Sequence, residues 1–151
     1  VDVYINDNSL WIDEVCYRTE MLAADIAKAH KEANRECGQN IEIISESADP
    51  RLIDEISNAG LDIHPVHKFQ GSIMAGIQKM QELKIRVTKR STNVLKEFRN
   101  YTYRQNKDGK WLNEPIDAYN HAIDAIRYVV LDKLLGQNSN GIEADDFIDM
   151  L

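Results

Sequence analysis

The stretch Ile43-Ile44-Ser45-Glu46-Ser47-Ala48-Asp49-Pro50-Arg51-Leu52-Ile53-Asp54-Glu55-Ile56 decides the fold class. Ile41 to Ser45 is rich in β-branched residues and reads as a buried strand. An acid follows it at once. Pro50 stands where a helix starts, because the first helical position needs no N–H donor. Leu52, Ile53 and Ile56 give that helix an apolar face. A buried strand that passes straight into a helix is the building unit of an α/β domain. In open α/β sheets ligands lie beyond the carboxyl ends of the strands, so Glu46 is placed to reach such a crevice. Asp49 fits better as a charge answering the helix dipole.

Upstream, Val1 to Ile5 alternates apolar and polar residues, Asn6-Asp7-Asn8 supplies turn chemistry, and Leu10 to Tyr17 resumes the strand period. Residues 1–17 therefore read as a β-hairpin. Leu22, Ile26 and Ala29 predict a helix over 21–34, ended by Gly38-Gln39-Asn40. Downstream, Gly60 stops the second helix and 61–66 reads as a strand. Ser72 is the expected N-cap of a helix reaching about Leu83, followed by a short strand at 85–87 and a helix over 91–100. Tyr101 to Trp111 reads as a second hairpin turning at Asp108-Gly109. Pro115 precedes a long helix expected from Asp117 to Leu135 and closed by Gly136. Strand, strand, then alternating helix and strand describes an α/β domain with a mixed sheet over 1–136. The acidic tail at 137–151 is expected to be mobile or weakly docked. The only Gly-Lys pair, Gly109-Lys110, is followed by Trp111, so no nucleotide-phosphate loop is present.

A chain of 151 residues fits one domain, and 43% hydrophobic with 28% charged residues is the composition of a folded protein. No run of 18 apolar residues occurs and residues 1–30 show no secretory signal, so no membrane association is expected. Cys16 and Cys37 form no C-x-x-C pair, which points to a reducing compartment and ordinary packing. The net charge of −7 alone speaks against a polyanion partner. Its distribution says otherwise. Lys68 to Lys110 holds eleven basic residues and three acids, a local +8, against −15 on the other 108 residues. Tyr101, Tyr103 and Trp111 interleave with Arg99, Arg104, Lys107 and Lys110, as in a phosphate-facing patch with aromatic stacking platforms. A solvated helix face plus a loop accounts for the charge equally well.

The last helix carries the most informative spacing. Asp117, His121, Asp124 and Tyr128 fall within about 60° of one another on an ideal helix. Ala122, Ile126, Val129 and Val130 take the other side, toward the core. A polar face of this kind is often only a solvated surface. Its chemical reading is that His121 and Asp124 converge on a divalent ion, since carboxylates suit Mg²⁺ or Mn²⁺ and imidazole suits Mn²⁺. Other candidates rank lower. His64 and His67 flank Pro65, and packed histidines are commoner than a metal pair. Lys68 beside Gly71-Ser72 joins a cation to helix amides, a combination that holds phosphate. His30 reads as a structural residue, Met74, Ile77 and Met80 as core, and Trp11 and Tyr17 as sheet packing.

Three blocks carry a resemblance: Ile44 to Ile56; Lys68-x-x-Gly71-Ser72-Ile73-x-x-Gly76-Ile77; and Asn113-Glu114-Pro115-x-Asp117-x-x-Asn120-His121-Ala122-Ile123-Asp124-Ala125-x-Arg127-Tyr128. In this order they resemble the C-terminal nuclease domain of phage large terminase subunits. The likeness runs from the first hairpin to about Tyr128. It implies an α/β fold with an RNase H-like mixed β-sheet flanked by helices. It also implies a metal-dependent endonuclease that cuts concatemeric double-stranded viral DNA. In that family three acids hold two Mg²⁺ or Mn²⁺ ions, which activate water and stabilise the leaving oxygen. By motif, Glu46 matches the second acid, Asp124 the third, and His121 the histidine beside it; these three are the expected catalytic and metal-binding residues. Asp117 is expected behind them. Lys68, Lys89, Arg90, Arg99, Arg104, Lys107 and Lys110 are expected to hold the DNA backbone. The family's first acid stands on a strand before Val1–Ile5, so this stretch is expected to lack that strand and that acid, and to cut poorly by itself. Asp2 is not equated with it. The implied partners are double-stranded DNA, the ATPase motor, the small terminase subunit and the portal, in the cytoplasm of the bacterial host. Two other readings compete: an RNase H-like nuclease of resolvase or integrase type, and a non-catalytic docking module for the motor or portal.

Overall fold

Local turn chemistry starts the fold. Asp7 adopts φ 50°, a left-handed angle that Asp tolerates better than most residues, and closes the expected hairpin. Its arms are β1 (Asp2–Asn6) and β2 (Ser9–Asp13), paired antiparallel from Asp2 opposite Asp13 to Asn6 opposite Ser9. The computed structural model describes residues 1–136; the expected tail at 137–151 lies outside them. After the hairpin come α1 (Ala23–Cys37), β3 (Ile43–Ser45), α2 (Pro50–Asn58), β4 (Ile63–Pro65), α3 (Ser72–Gln81), β5 (Lys84–Val87) and α4 (Thr92–Asn100). A second hairpin, β6 (Tyr103–Gln105) and β7 (Trp111–Pro115), leads into α5 (His121–Val130). The last helix widens into a π-helical turn over Leu131–Leu135.

The sheet is mixed, as its sequence order implies. β5 lies parallel to β2, Leu10 opposite Ile85 and Ile12 opposite Val87. The hydrogen-bonded ladder is divided, however. β1-β2-β5 forms one sheet and the parallel pair β3-β4 another, so β1 and β3 each keep one unpaired edge among the described residues. Both strands line a single large cavity of about 1340 Å³.

α5 joins the packed layers. Its Ala122, Ile123, Ile126 and Val130 close on Leu10 and Ile12 of β2, Met80 of α3 and Val94 of α4. Elsewhere on the same helix, Tyr128 packs with Val66 and Leu131. A separate cluster of Ala27, Ile56 and Leu61 joins α1 to α2 and the start of β4.

Several expectations need correction. The last helix starts at His121, four residues later than its polar spacing suggests. Tyr119 has φ 55°, which no right-handed helix accommodates, and Asn120 is the cap. The cap of α3 is Gly71 at φ 84°, and Ser72 lies inside the helix. Leu22 is exposed at the mouth of α1, which turns Ala27 and Ala33 inward instead. Trp11 and Tyr17 are exposed; the Trp11 ring lies under Arg86, 4.7 Å from its guanidinium carbon. His30 is half-buried, and burial lowers its affinity for a proton.

Two helix starts are capped from a distance. Glu14, just after β2, accepts the amides of Asn93 (2.9 Å) and Val94 (3.0 Å) at the head of α4. Glu97, on α4 and only 2% exposed, accepts the amides of Ala122 (2.8 Å) and Ile123 (3.0 Å) at the head of α5. Its other oxygen accepts the Tyr17 hydroxyl at 2.8 Å. Each bond from a helix-head amide satisfies a donor that no helix can satisfy internally and sets a negative charge on the positive end of the dipole. Replacing Glu97 by Ala leaves two buried amides unpaired, so Glu97→Ala is expected to lower stability by about 3 kcal/mol, and Tyr17→Phe by about 1 kcal/mol. Urea unfolding measures both, and a Glu97→Ala loss no larger than that of Tyr17→Phe argues against the capping role.

Candidate active site

Glu46 leaves the carboxyl end of β3, where strand geometry ends and its side chain is free to turn into the cavity. Its Oε1 accepts Lys68 Nζ at 2.5 Å, the Ser47 amide at 2.7 Å and Ser47 Oγ at 3.4 Å. Its Oε2 accepts the Tyr128 hydroxyl. Burial alone would raise this carboxyl, but the hydrogen bonds from Lys68, Tyr128 and Ser47 outweigh it and hold it at about 2. Glu46 is thus a fixed anion at neutral pH. Tyr128 is held above its ordinary value, first by burial and then by the Glu46 carboxylate it donates to.

Asp124 sits in the first turn of α5. Its Oδ1 accepts Arg127 Nη2 at 2.8 Å and Arg127 Nε at 3.3 Å. Spacing of three on a helix brings the two side chains together. The guanidinium is 3% exposed and the carboxylate 27% exposed, so the pair stands at the boundary of core and cavity. His121, the first residue of α5, is exposed and lines the same cavity as Glu46 and Asp124.

The expected trio therefore lines one cavity, but its ligand atoms do not gather within 4.8 Å of one another. The two carboxylates are hard oxygen donors that suit Mg²⁺ or Mn²⁺, and the imidazole is a borderline donor better suited to Mn²⁺ than to Mg²⁺. Asp117 is not among the residues that line the cavity: it lies before α5, exposed, and among the described residues its side chain accepts only a 3.3 Å bond from Asn120 Nδ2. Tyr128 is visible in the sequence as a polar position in the Asp124 register, yet its bond to Glu46 spans 82 residues and no spacing rule reveals it.

The expected backbone-binding cations divide into two groups. Lys68 is taken up by Glu46, and its Nζ lies 5.1 Å from the Tyr128 ring centre. Arg90 is paired with Asp13, and Arg104 with Glu114 at 3.0 Å. Lys89, Arg99, Lys107 and Lys110 are exposed and make no ion pair among the described residues. Lys107 and Lys110 sit in the β6–β7 turn, held by Asn106 Oδ1 accepting the amides of Asp108 and Lys110.

A second cluster lies at the other end of β3. Glu42, His64 and Asp132 offer ligand atoms within 4.8 Å of one another. His64 stands between the two acids, Nδ1 3.6 Å from Glu42 and Nε2 3.5 Å from Asp132. Lys133 also bridges them, pairing with Glu42 and with Asp132 at 3.1 Å. The ammonium already supplies the positive charge these acids need. The cluster ties the loop before β3 to β4 and the last helical turn.

The terminase RNase H-like domain family matches residues 1–132. The chain belongs to that family. It is 31% identical over 98 residues to the large terminase subunit of Bacillus phage SPP1; the matched stretch covers 60% of this chain and 22% of that protein's length. Among solved structures it is similar to the nuclease domain of the SPP1 large terminase with bound Mn. That likeness has a TM-score of 0.73 and 28% identity, over 83% of this chain and 71% of the other. The large terminase of a thermophilic bacteriophage shares the fold, with a TM-score of 0.66 and 13% identity over 87% of this chain and 35% of that one. The expected RNase H-like architecture is thereby shown.

The Glu46 network makes stability pH-dependent in a defined window. A carboxyl held at about 2 against an ordinary 4.5 stabilises the folded state fully above about 4.5, and that contribution is lost as pH falls toward 2. Acid titration followed by circular dichroism should show a Glu46→Gln variant with a flatter stability profile across this window. An unchanged slope would mean that the Lys68 and Tyr128 bonds do not form in solution.

Proposed function

We propose that this domain is the metal-dependent DNA endonuclease of a viral packaging terminase. The observation that carries the reading is that Glu46, Asp124 and His121 line one cavity within a terminase RNase H-like fold. Glu46 and Asp124 are the proposed ligands of Mg²⁺ or Mn²⁺, with His121 as a ligand or an orienting group at the mouth. Bound there, a divalent ion supplies an activated water and charge stabilisation for in-line attack on a phosphodiester. Lys68 and Tyr128 hold the Glu46 carboxylate in place. The bound Mn in the SPP1 nuclease domain supports the same class of ion here.

The family's first acid is proposed to arrive on a further strand seated between β1 and β3. Two unpaired strand edges and an apolar wall of Val3, Ile5, Ile43 and Val129 suit such a strand. Double-stranded DNA is the proposed substrate, gripped through phosphates by Lys89, Arg99, Lys107 and Lys110. Such contacts carry little sequence information and weaken steeply with salt. The packaging motor, the small terminase subunit and the portal are the proposed partners, in the cytoplasm of the infected bacterium.

Supercoiled plasmid with Mn²⁺ tests the reading, in a longer chain that supplies the first acid. Glu46→Ala and Asp124→Ala are each expected to slow cutting by about 100-fold or more, beyond the usual effect of losing an outer partner of a ligand. Cutting that survives both changes would sink the assignment, and a preference for branched over linear DNA would favour a resolvase. Replacing Lys107 and Lys110 by Ala should reduce the salt slope of DNA binding by about two. An unchanged slope would move the DNA away from the β6–β7 turn.

A further inference from the structure

Three costly features of the fold converge on one oxygen atom. The first is a buried charge: Arg127 is 3% exposed, on a helix face otherwise closed by apolar residues. The second is an unpaired donor. Arg127 Nη1 is buried without a hydrogen-bond partner among the described residues, a state that folded proteins rarely retain without reason. The third is Gly76, buried in the interior of α3, where glycine weakens a helix relative to alanine. A Cβ at this position would stand 2.5 Å from Arg127 Cγ and 2.9 Å from Cδ. Glycine is therefore what lets the Arg127 stem lie against α3. The guanidinium also sits 5.1 Å from the Tyr128 ring centre.

What these features achieve is the placement of Asp124. Both of the bonded guanidinium donors, Nη2 and Nε, point to Oδ1. Asp124 lines the cavity, and its Oδ2 accepts no hydrogen bond among the described residues. We infer that Arg127 is a positioning residue for the metal site, seated by Gly76, which fixes the Asp124 carboxylate with Oδ2 presented to the ion. This inference rests on the proposal that Asp124 is a metal ligand. A purely structural role for Arg127, filling space between α3 and α5, predicts something different. So does a purely electrostatic one, because removing a cation beside a metal site strengthens metal binding.

Mn²⁺ binding to the folded protein separates these cases, read by the electron paramagnetic resonance of free Mn²⁺, with circular dichroism to confirm folding. Arg127→Met keeps much of the stem and removes the charge and the two bonds. It is expected to weaken Mn²⁺ binding by about 10- to 100-fold, the usual effect of losing a partner that orients a ligand. Gly76→Ala touches neither Asp124 nor the ion and is expected to weaken it several-fold by displacing the Arg127 stem. It stands in if Arg127→Met does not fold. Mn²⁺ binding unchanged or tighter in the folded variants overturns the positioning role. Asp124→Asn tests the underlying reading separately: it should weaken binding at least as much as Arg127→Met. If Asp124→Asn binds Mn²⁺ like the parent chain, or the parent binds none at millimolar concentration, the metal-site reading falls and the inference with it. If Asp124→Asn weakens binding and the other two do not, only the inference falls.

Discussion

A buried carboxylate at the head of α5 is the constraint on which the rest of the structure depends. Glu97 makes no ion pair among the described residues; its partners there are two amides and a hydroxyl, and in their absence a charge 2% exposed would be untenable. The arrangement holds because α4 and α5 must meet at a fixed height, and because Tyr17 must return from the exit of the first hairpin. Glu14 does the same one step earlier, fastening the end of β2 to the head of α4. The order is thus relayed: β2 sets α4, α4 sets α5, and α5 carries His121 and Asp124 toward the cavity. Side chains from one element cap the next helix, so an error in any joint propagates to the cavity that His121 and Asp124 line.

Much of this fold is legible in the sequence because its signals are local. The Asp7 turn, the Pro50 helix start with Asp49 accepting the Leu52 amide, and the Gly109 turn each depend on a few adjacent residues. The start of α5 escapes a sequence reading because periodicity extends through Asp117 while the backbone does not. One left-handed residue, Tyr119, ends the regularity, and no hydrophobic pattern reports it. Asp117 loses its place behind the site for that reason alone.

The fate of the basic segment shows a different limit. Composition finds the positive charge between Lys68 and Lys110 but not how much of it is already neutralised. Arg90 is taken by Asp13, 77 residues away, and Lys68 by Glu46, 22 residues away. Those acids lie in other elements, so only the tertiary fold makes the subtraction. Of the seven cations expected to hold DNA, only Lys89, Arg99, Lys107 and Lys110 remain exposed without an ion pair among the described residues. Similarly, Tyr128 stands within a sequence motif but acquires its role through Glu46, 82 residues away, which no spacing within that motif names. A residue that acts by holding another is invisible to a reading that looks for ligands.

The divided sheet makes such side-chain joints necessary. A parallel pair such as β3-β4 is ordinarily buried on both faces and flanked by further strands. Here β3 is three residues long with an open edge, and its carboxyl end carries Glu46. So short a strand cannot hold an acid by its ladder alone. Glu46 is held instead from the side, by Tyr128 of α5 and Lys68 beyond β4. The same helix that orders Glu46 through Tyr128 orders Asp124 through Arg127, one residue apart in the chain. The two acids are therefore registered to each other through α5 and not through the sheet. A strand added between β1 and β3 would meet acids already in place.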